Sequence, residues 1–134
     1  MNLFAQHTKY DVEQLRKNKQ FLLELVSDLE QFYYTYKKEV KDSVDSTYVS
    51  FSPAPEIIKQ VFFSVDGTNA ISISFGGILG EETKKKFQEK YPKSWDYMGS
   101  GVRVEMNGIT KENISTFMAD IVFLLERLKF TPKR

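Results

Sequence analysis

An α+β fold is expected: an antiparallel sheet of about four strands, with long N-terminal and C-terminal helices packed on one face. Three observations predict it. The pair Asp66-Gly67 sits between two alternating runs, Val61-Phe62-Phe63-Ser64-Val65 and Ala70-Ile71-Ser72-Ile73-Ser74-Phe75, and glycine accepts the positive φ of a tight hairpin turn. Two further stretches, Tyr48-Val49-Ser50-Phe51-Ser52 and Gly101-Val102-Arg103-Val104-Glu105-Met106, alternate in the same way. Apolar residues at helical spacing occupy both ends of the chain, as a layer covering such a sheet requires.

The first helix is predicted from Asp11 to Val40. Asp11 is placed to cap it, with Gln14 three residues on as the second half of a capping box, and Tyr10 and Leu15 complete a hydrophobic staple. Leu15, Leu22, Val26, Leu29, Tyr33, Tyr36 and Val40 mark one face. Such a helix would run roughly 45 Å at 1.5 Å per residue, longer than a domain of this size is wide. Phe21, Leu25 and Phe32 widen the stripe, so the helix is expected to touch more than the sheet, and these three are the candidate seam for a homodimer or a protein partner.

A polar connection, Lys41 to Ser46, leads to the first strand, and Pro53-Ala54-Pro55 imposes a rigid turn. The second strand, with a short turn before it, falls between Ile57 and Val65, and the third ends at Gly76-Gly77. A short helix from Glu81 to Tyr91 is stopped by Pro92. Trp95, Tyr97 and Gly99-Ser100-Gly101 precede the fourth strand, which Asn107-Gly108 closes. Thr110 is placed to cap the last helix, with Ile114, Phe117, Met118, Ile121, Leu125 and Leu128 on one face. Sorted by face, Val49, Phe51, Val61, Phe63, Val65, Ile71, Ile73, Phe75, Val102, Val104 and Met106 form the helix-covered set. Tyr48, Ser50, Ser52, Phe62, Ser64, Ser72, Ser74, Arg103 and Glu105 form the outer, wet set.

The 134 residues form a single α+β domain, residues 1–134, with residues 1–9 read as a flexible lead. Values of 41% hydrophobic and 28% charged are ordinary for a globular chain. With no cysteine, disulfides, thiolate zinc sites and cysteine nucleophiles are excluded. The opening Met1-Asn2-Leu3-Phe4-Ala5-Gln6-His7 has no basic stretch followed by a long apolar one, so no signal peptide is expected. No apolar run approaches the ~20 residues of a membrane span, and a cytoplasmic protein with no membrane partner is the expectation. A net charge of +1 argues against a strongly basic nucleic-acid binder and against an acidic DNA mimic. The charge is mildly uneven: residues 81–134 carry eleven basic and eight acidic side chains.

Chemistry-bearing motifs are sparse. Phe75-Gly76-Gly77-Ile78-Leu79-Gly80-Glu81-Glu82 has the strand, glycine loop and helix start of a phosphate loop. It lacks the Lys-Ser/Thr that follows such a loop, and Glu81 and Glu82 occupy the positive helix end where they repel an anion. A tight strand-to-helix turn is the better reading. His7 is the only histidine, which nearly excludes histidine triads and polyhistidine metal sites. Carboxylate chemistry through Glu56, Asp66, Asp96 or Glu105 is formally open. No cofactor or metal is expected, and the reading leans away from an enzyme.

Three functions are weighed. The first is a small non-catalytic binding or regulatory module acting through protein–protein contacts, with Phe21, Leu25 and Phe32 at its surface. The second is nucleic-acid binding by Lys84, Lys85, Lys86, Lys90 and Lys93, interleaved with aromatics and followed by Trp95 and Tyr97. The plainer alternative is that Phe87 and Tyr91, four apart, pack inward while the lysines face water. The third is a small-molecule or enzymatic pocket where Gly76–Gly80 meets Gly99–Gly101, walled by Trp95 and Tyr97 and charged by Arg103 and Glu105.

The run Trp95, Gly99, Gly101, Val102-Arg103-Val104-Glu105-Met106, a polar turn and an amphipathic helix, preceded by Tyr48-Val49-Ser50-Phe51 and an alternating strand pair, resembles a small bacterial domain. That domain occurs at the C-terminal end of predicted transport proteins and beside restriction-related modules. The likeness spans roughly residues 20–128 as a pattern. It implies a non-catalytic accessory domain near nucleic-acid or defence enzymes and transfers no functional residue. The long first helix departs from the pattern.

Overall fold

Gly77 shows how tightly the layers close: a Cβ built on it would lie 2.5 Å from Cδ2 of Leu128. The computed structural model describes residues 12–57, 60–66, 71–77, 79–97 and 101–133. In chain order the elements are α1 (Val12–Phe32), β1 (Tyr36–Asp42), β2 (Ser46–Ser52), β3 (Val61–Asp66), β4 (Ile71–Phe75), α2 (Glu81–Lys90), β5 (Ser94–Tyr97), β6 (Gly101–Ile109) and α3 (Ile114–Arg127). The strands form one sheet in the order β1-β2-β3-β4-β6-β5. Every neighbouring pair is antiparallel.

The α+β sandwich is as the alternation requires. Val49, Phe51, Val61, Phe63, Val65, Ile71, Ile73, Phe75, Val104 and Met106 are all buried in one core, with Leu22, Val26 and Leu29 of α1 and Ile121, Leu124 and Leu125 of α3 laid over them. Phe87 and Tyr91 join the same core from α2 and its end. Phe63 is buried and Phe62 half-buried, so the strand keeps its expected phase. The β3–β4 pair runs from Val61↔Phe75 to Ser64↔Ser72; Gly67 lies outside the described residues, as do Asp11, Tyr10 and His7.

The sheet has six strands rather than about four. The two additions, β1 and β5, are its edges. An edge strand as exposed on both faces as β1 has no apolar alternation to betray it: only Glu39 is even half-buried there. The first helix accordingly stops at Phe32, not Val40. Tyr33-Tyr34-Thr35-Tyr36 is a run of aromatic and β-branched residues that favours extended chain. Two long-range backbone bonds then capture it: Tyr34 N–H donates to Thr131 O at 3.0 Å, and Lys133 N–H to Phe32 O at 2.7 Å. Tyr36 and Val40 are exposed strand residues, not helix stripe.

Three smaller corrections follow from packing. Leu25, read as a seam residue, is 3% exposed and belongs to the core. Ser50 and Ser52, assigned to the wet face, are buried: Ser52 Oγ donates to the carbonyls of Tyr36 and Ala54, and Ser50 is paired on either side with Glu39 and Phe62. Asn107-Gly108 does not end β6. The register moves from Ile73↔Met106 to Ile71↔Ile109, so three residue steps on β6 face two on β4. The extra residue is a bulge, with Gly108 at φ +81°, and it delivers Ile109 to the core. Thr110 and Asn113 then bond each other's backbone N–H through their side chains just ahead of α3.

Candidate functional site

An open apolar surface lies between α1 and α3. Lys111, just before α3, pairs with Glu24 at 3.7 Å, and Tyr33, just past α1, donates to Glu126 at 3.5 Å. The two helices therefore run side by side in the same direction. Along α1, Gln14, Lys17, Phe21, Glu24, Asp28 and Phe32 recur every three or four residues and form the wall that faces α3. Two hollows result. One, of about 360 Å³, is bordered by Lys17, Phe21, Glu24 and Lys111. The other, of about 490 Å³, is bordered by Leu29, Phe32, Tyr33, Met118, Val122, Glu126 and Pro132.

The second hollow is the apolar one. Met118 and Val122 are half-buried on its floor, and Phe32 stands 62% exposed at its lip. Its chemistry is passive. Burial, with Glu126 beside it, pushes the Tyr33 phenol above its ordinary range, so the ring acts as a neutral donor. Lys133 sits over the Tyr34 ring at 5.3 Å. Of the three seam residues read from sequence, Phe32 borders this hollow, Phe21 borders the other, and Leu25 is buried in the core. Val122 went unread because it falls one position off the Ile121 stripe; its signal was the four-residue step from Met118.

The lysine segment is built differently. Phe87 is fully buried and stacks on Tyr91 at 5.7 Å and on Phe123 at 6.1 Å. Lys86, Lys90 and Lys93 have internal partners. Lys90 Nζ lies 2.6 Å from Asp120 Oδ2. Lys86 Nζ sits 4.8 Å from the centre of the Phe123 ring, on which Arg127 also rests. Lys93 pairs with Glu105 at 3.8 Å. Lys85 is exposed and Lys84 half-buried. The Tyr91 hydroxyl donates to the same Asp120 oxygen at 2.7 Å. Burial alone would raise the Asp120 carboxyl, but bonds from Lys90 and Tyr91 and the charges of Lys90 and Lys86 hold it below its ordinary value. Burial and Asp120 push the Tyr91 phenol up.

Trp95 and Tyr97 lie on β5, opposite Arg103 and Gly101. Phe75 pairs with Val104, so the end of β4 and the start of β6 share one end of the sheet. The Gly77 backbone there packs on Leu128, closing space rather than opening it. Gly80 serves as the α2 N-cap at φ +87°, with Glu81 and Glu82 in the first turn, the strand-to-helix turn expected. Arg103 stacks on the Phe62 ring at 5.4 Å. Glu105 accepts from Asn107 at 3.2 Å as well as pairing with Lys93. Among the described residues there is no cluster of three or more metal-ligating side chains, and no helix is long and apolar enough to cross a membrane.

The chain matches no protein-family model, no curated protein and no solved structure.

Proposed function

We propose that this protein is a non-catalytic binding module that takes a protein partner in the groove between α1 and α3. One observation carries the reading: an apolar floor of Met118 and Val122 lies open beside Phe32, an aromatic side chain 62% exposed on a regular helix. A large apolar side chain beside an apolar hollow is the usual mark of a protein contact, and a trough between two helices suits a third helix presenting residues at three- and four-residue spacing. The lysine segment supports nucleic-acid binding less well, since Lys86, Lys90 and Lys93 already have internal partners.

Site-specific photo-cross-linking tests it. A cross-linking amino acid at Phe32 should yield a discrete adduct with a polypeptide, while the same group at Lys38 on β1 should not. Absence of any polypeptide adduct from the groove position would overturn the proposal.

A further inference from the structure

We propose that Asn107 modifies itself in the folded chain: the backbone nitrogen of Gly108 closes on the Asn107 side chain, the Ser72 hydroxyl polarises the amide carbonyl under attack, and the residue ends as aspartate or isoaspartate. This site lies in the β6 bulge and is independent of what the groove takes.

The sequence meets the first requirement. The chain has five asparagines, and only Asn107 precedes a glycine. A residue without Cβ leaves its own nitrogen unshielded; Lys19 after Asn18 and Ile114 after Asn113 do not. The bulge meets the second requirement. Ring closure needs the Gly108 nitrogen to swing toward Cγ of Asn107, a rotation that a regular ladder restrains. Between Met106 and Ile109 the ladder is broken, and Asn107 and Gly108 together face Ser72. Gly108 stands at φ +81°, and apart from its chain neighbours nothing lies within 4 Å of the place a Cβ would take. Asn107 and Gly108 are both exposed, so water reaches the ring to open it.

The side-chain partners meet the third. Ser72 Oγ donates to Asn107 Oδ1 at 2.5 Å, and Asn107 Nδ2 donates to Glu105 Oε1 at 3.2 Å. An ionised carboxylate only accepts, so the amide nitrogen faces Glu105 and the amide oxygen faces Ser72. The hydroxyl is thus set where negative charge develops as the carbonyl is attacked. The Gly108 nitrogen bonds to Cγ, the Cγ–Nδ2 bond breaks, and Nδ2 leaves as ammonia with the proton that the Gly108 nitrogen gives up. Water then cleaves one of the two backbone-nitrogen bonds of the cyclic imide. Opening at Cγ leaves aspartate; opening at the backbone carbonyl leaves isoaspartate, with an extra methylene in the main chain. Nothing is oxidised or reduced. Either product alters the entry to α3. A carboxylate at this position loses the bond to Glu105 and repels it. The longer main chain of isoaspartate displaces Ile109, which is fully buried, and the Gly108 carbonyl, which accepts from Asn113 Nδ2 at 3.0 Å.

Ageing the intact folded chain at pH 7 and at pH 9, followed by peptide mass analysis, tests this. Cleavage after Arg103 and Lys111 releases Val104–Lys111, whose sole side-chain amide is Asn107. That peptide should take the mass shift of amide to acid and accept methyl groups from an isoaspartyl methyltransferase. It should change faster at pH 9, where the attacking nitrogen gives up its proton more readily. Asn18 and Asn113 should keep their amides. Ser72→Ala should slow the change roughly tenfold, the worth of one hydrogen bond, and Ser72→Thr should restore the rate. Circular dichroism checks that each variant is folded at the ageing temperature. The aged protein should melt at a lower temperature than the fresh one. A urea-unfolded sample is the control, because there the pair has no ladder to hold it. A folded chain that keeps the Asn107 amide while the unfolded one loses it would overturn the inference, as would a folded Ser72→Ala that reacts as fast as the wild type or faster.

Discussion

The two flanks of α3 are finished differently. On one flank Asp120, Phe123 and Arg127 are stitched to α2: Asp120 binds Lys90 and the Tyr91 hydroxyl, Phe123 stacks on Phe87, and Arg127 donates to Thr83 at 3.3 Å. On the other flank Met118 and Val122 meet an open trough, with Phe32 left in solvent. The first flank carries more charge and looks more reactive in sequence. Yet its charges and rings satisfy one another, so little is left for a ligand. The quieter flank is the one with unspent apolar surface. A candidate surface is better judged by what its groups still lack than by how many there are.

Variants can break or sharpen that contrast. Phe87→Ala should have the largest effect. A fully buried aromatic that joins α2 to α3 should cost about 3–5 kcal/mol on truncation, read as a lowered urea midpoint. If the loss is small, the α2 flank is not the structural one.

Asp120→Asn should come next, at about 2 kcal/mol, the scale of hydrogen bonds to a charged group. Its pH signature is more telling. The folded-state pKa of Asp120 lies below its ordinary 3.8. The stabilisation is therefore present above that value and lost as pH falls through the folded pKa, where the unfolded chain has bound a proton first. Tyr91 shifts the other way: its raised pKa makes its share present below its ordinary 10 and lost at higher pH. Thermal unfolding followed from pH 7 down to 2 should lose less stability in Asp120→Asn than in the wild type. Equal losses would show that Asp120 has no coupling to its neighbours.

Phe32→Ala and Lys85→Ala should have the smallest effects on folding, within about 0.5 kcal/mol each, because both side chains are exposed. They should part company in association: Phe32→Ala should reduce cross-linking from a probe at Val122, and Lys85→Ala should leave it unchanged. If both variants cross-link alike, the two flanks are not functionally distinct.

The inner strands were legible because each has one buried face. Val61, Phe63 and Val65, or Ile71, Ile73 and Phe75, alternate strictly, and a single slip would bury the wrong side. The last helix and the inward packing of Phe87 and Tyr91 were readable on the same grounds, from residues three and four apart. The groove was half legible. Phe21 and Phe32 stand out as surplus aromatics on α1, but the burial of Leu25 between them in sequence was decided by tertiary packing.

Local periodicity therefore determined the α+β class, the core-facing residues and the presence of amphipathic helices at both ends of the chain. It did not determine where the first helix stops, because Tyr33 to Asp42 holds no one-sided pattern, and capture by Thr131 and Lys133 comes from almost a hundred residues away. The bulge at Asn107-Gly108, the burial of Ser50 and Ser52, the ion pair of Lys90 with Asp120 and the open trough beside α3 were likewise decided only by tertiary structure. Each depends on which neighbour supplies the missing hydrogen bond, charge or apolar contact, and that neighbour is distant in the chain.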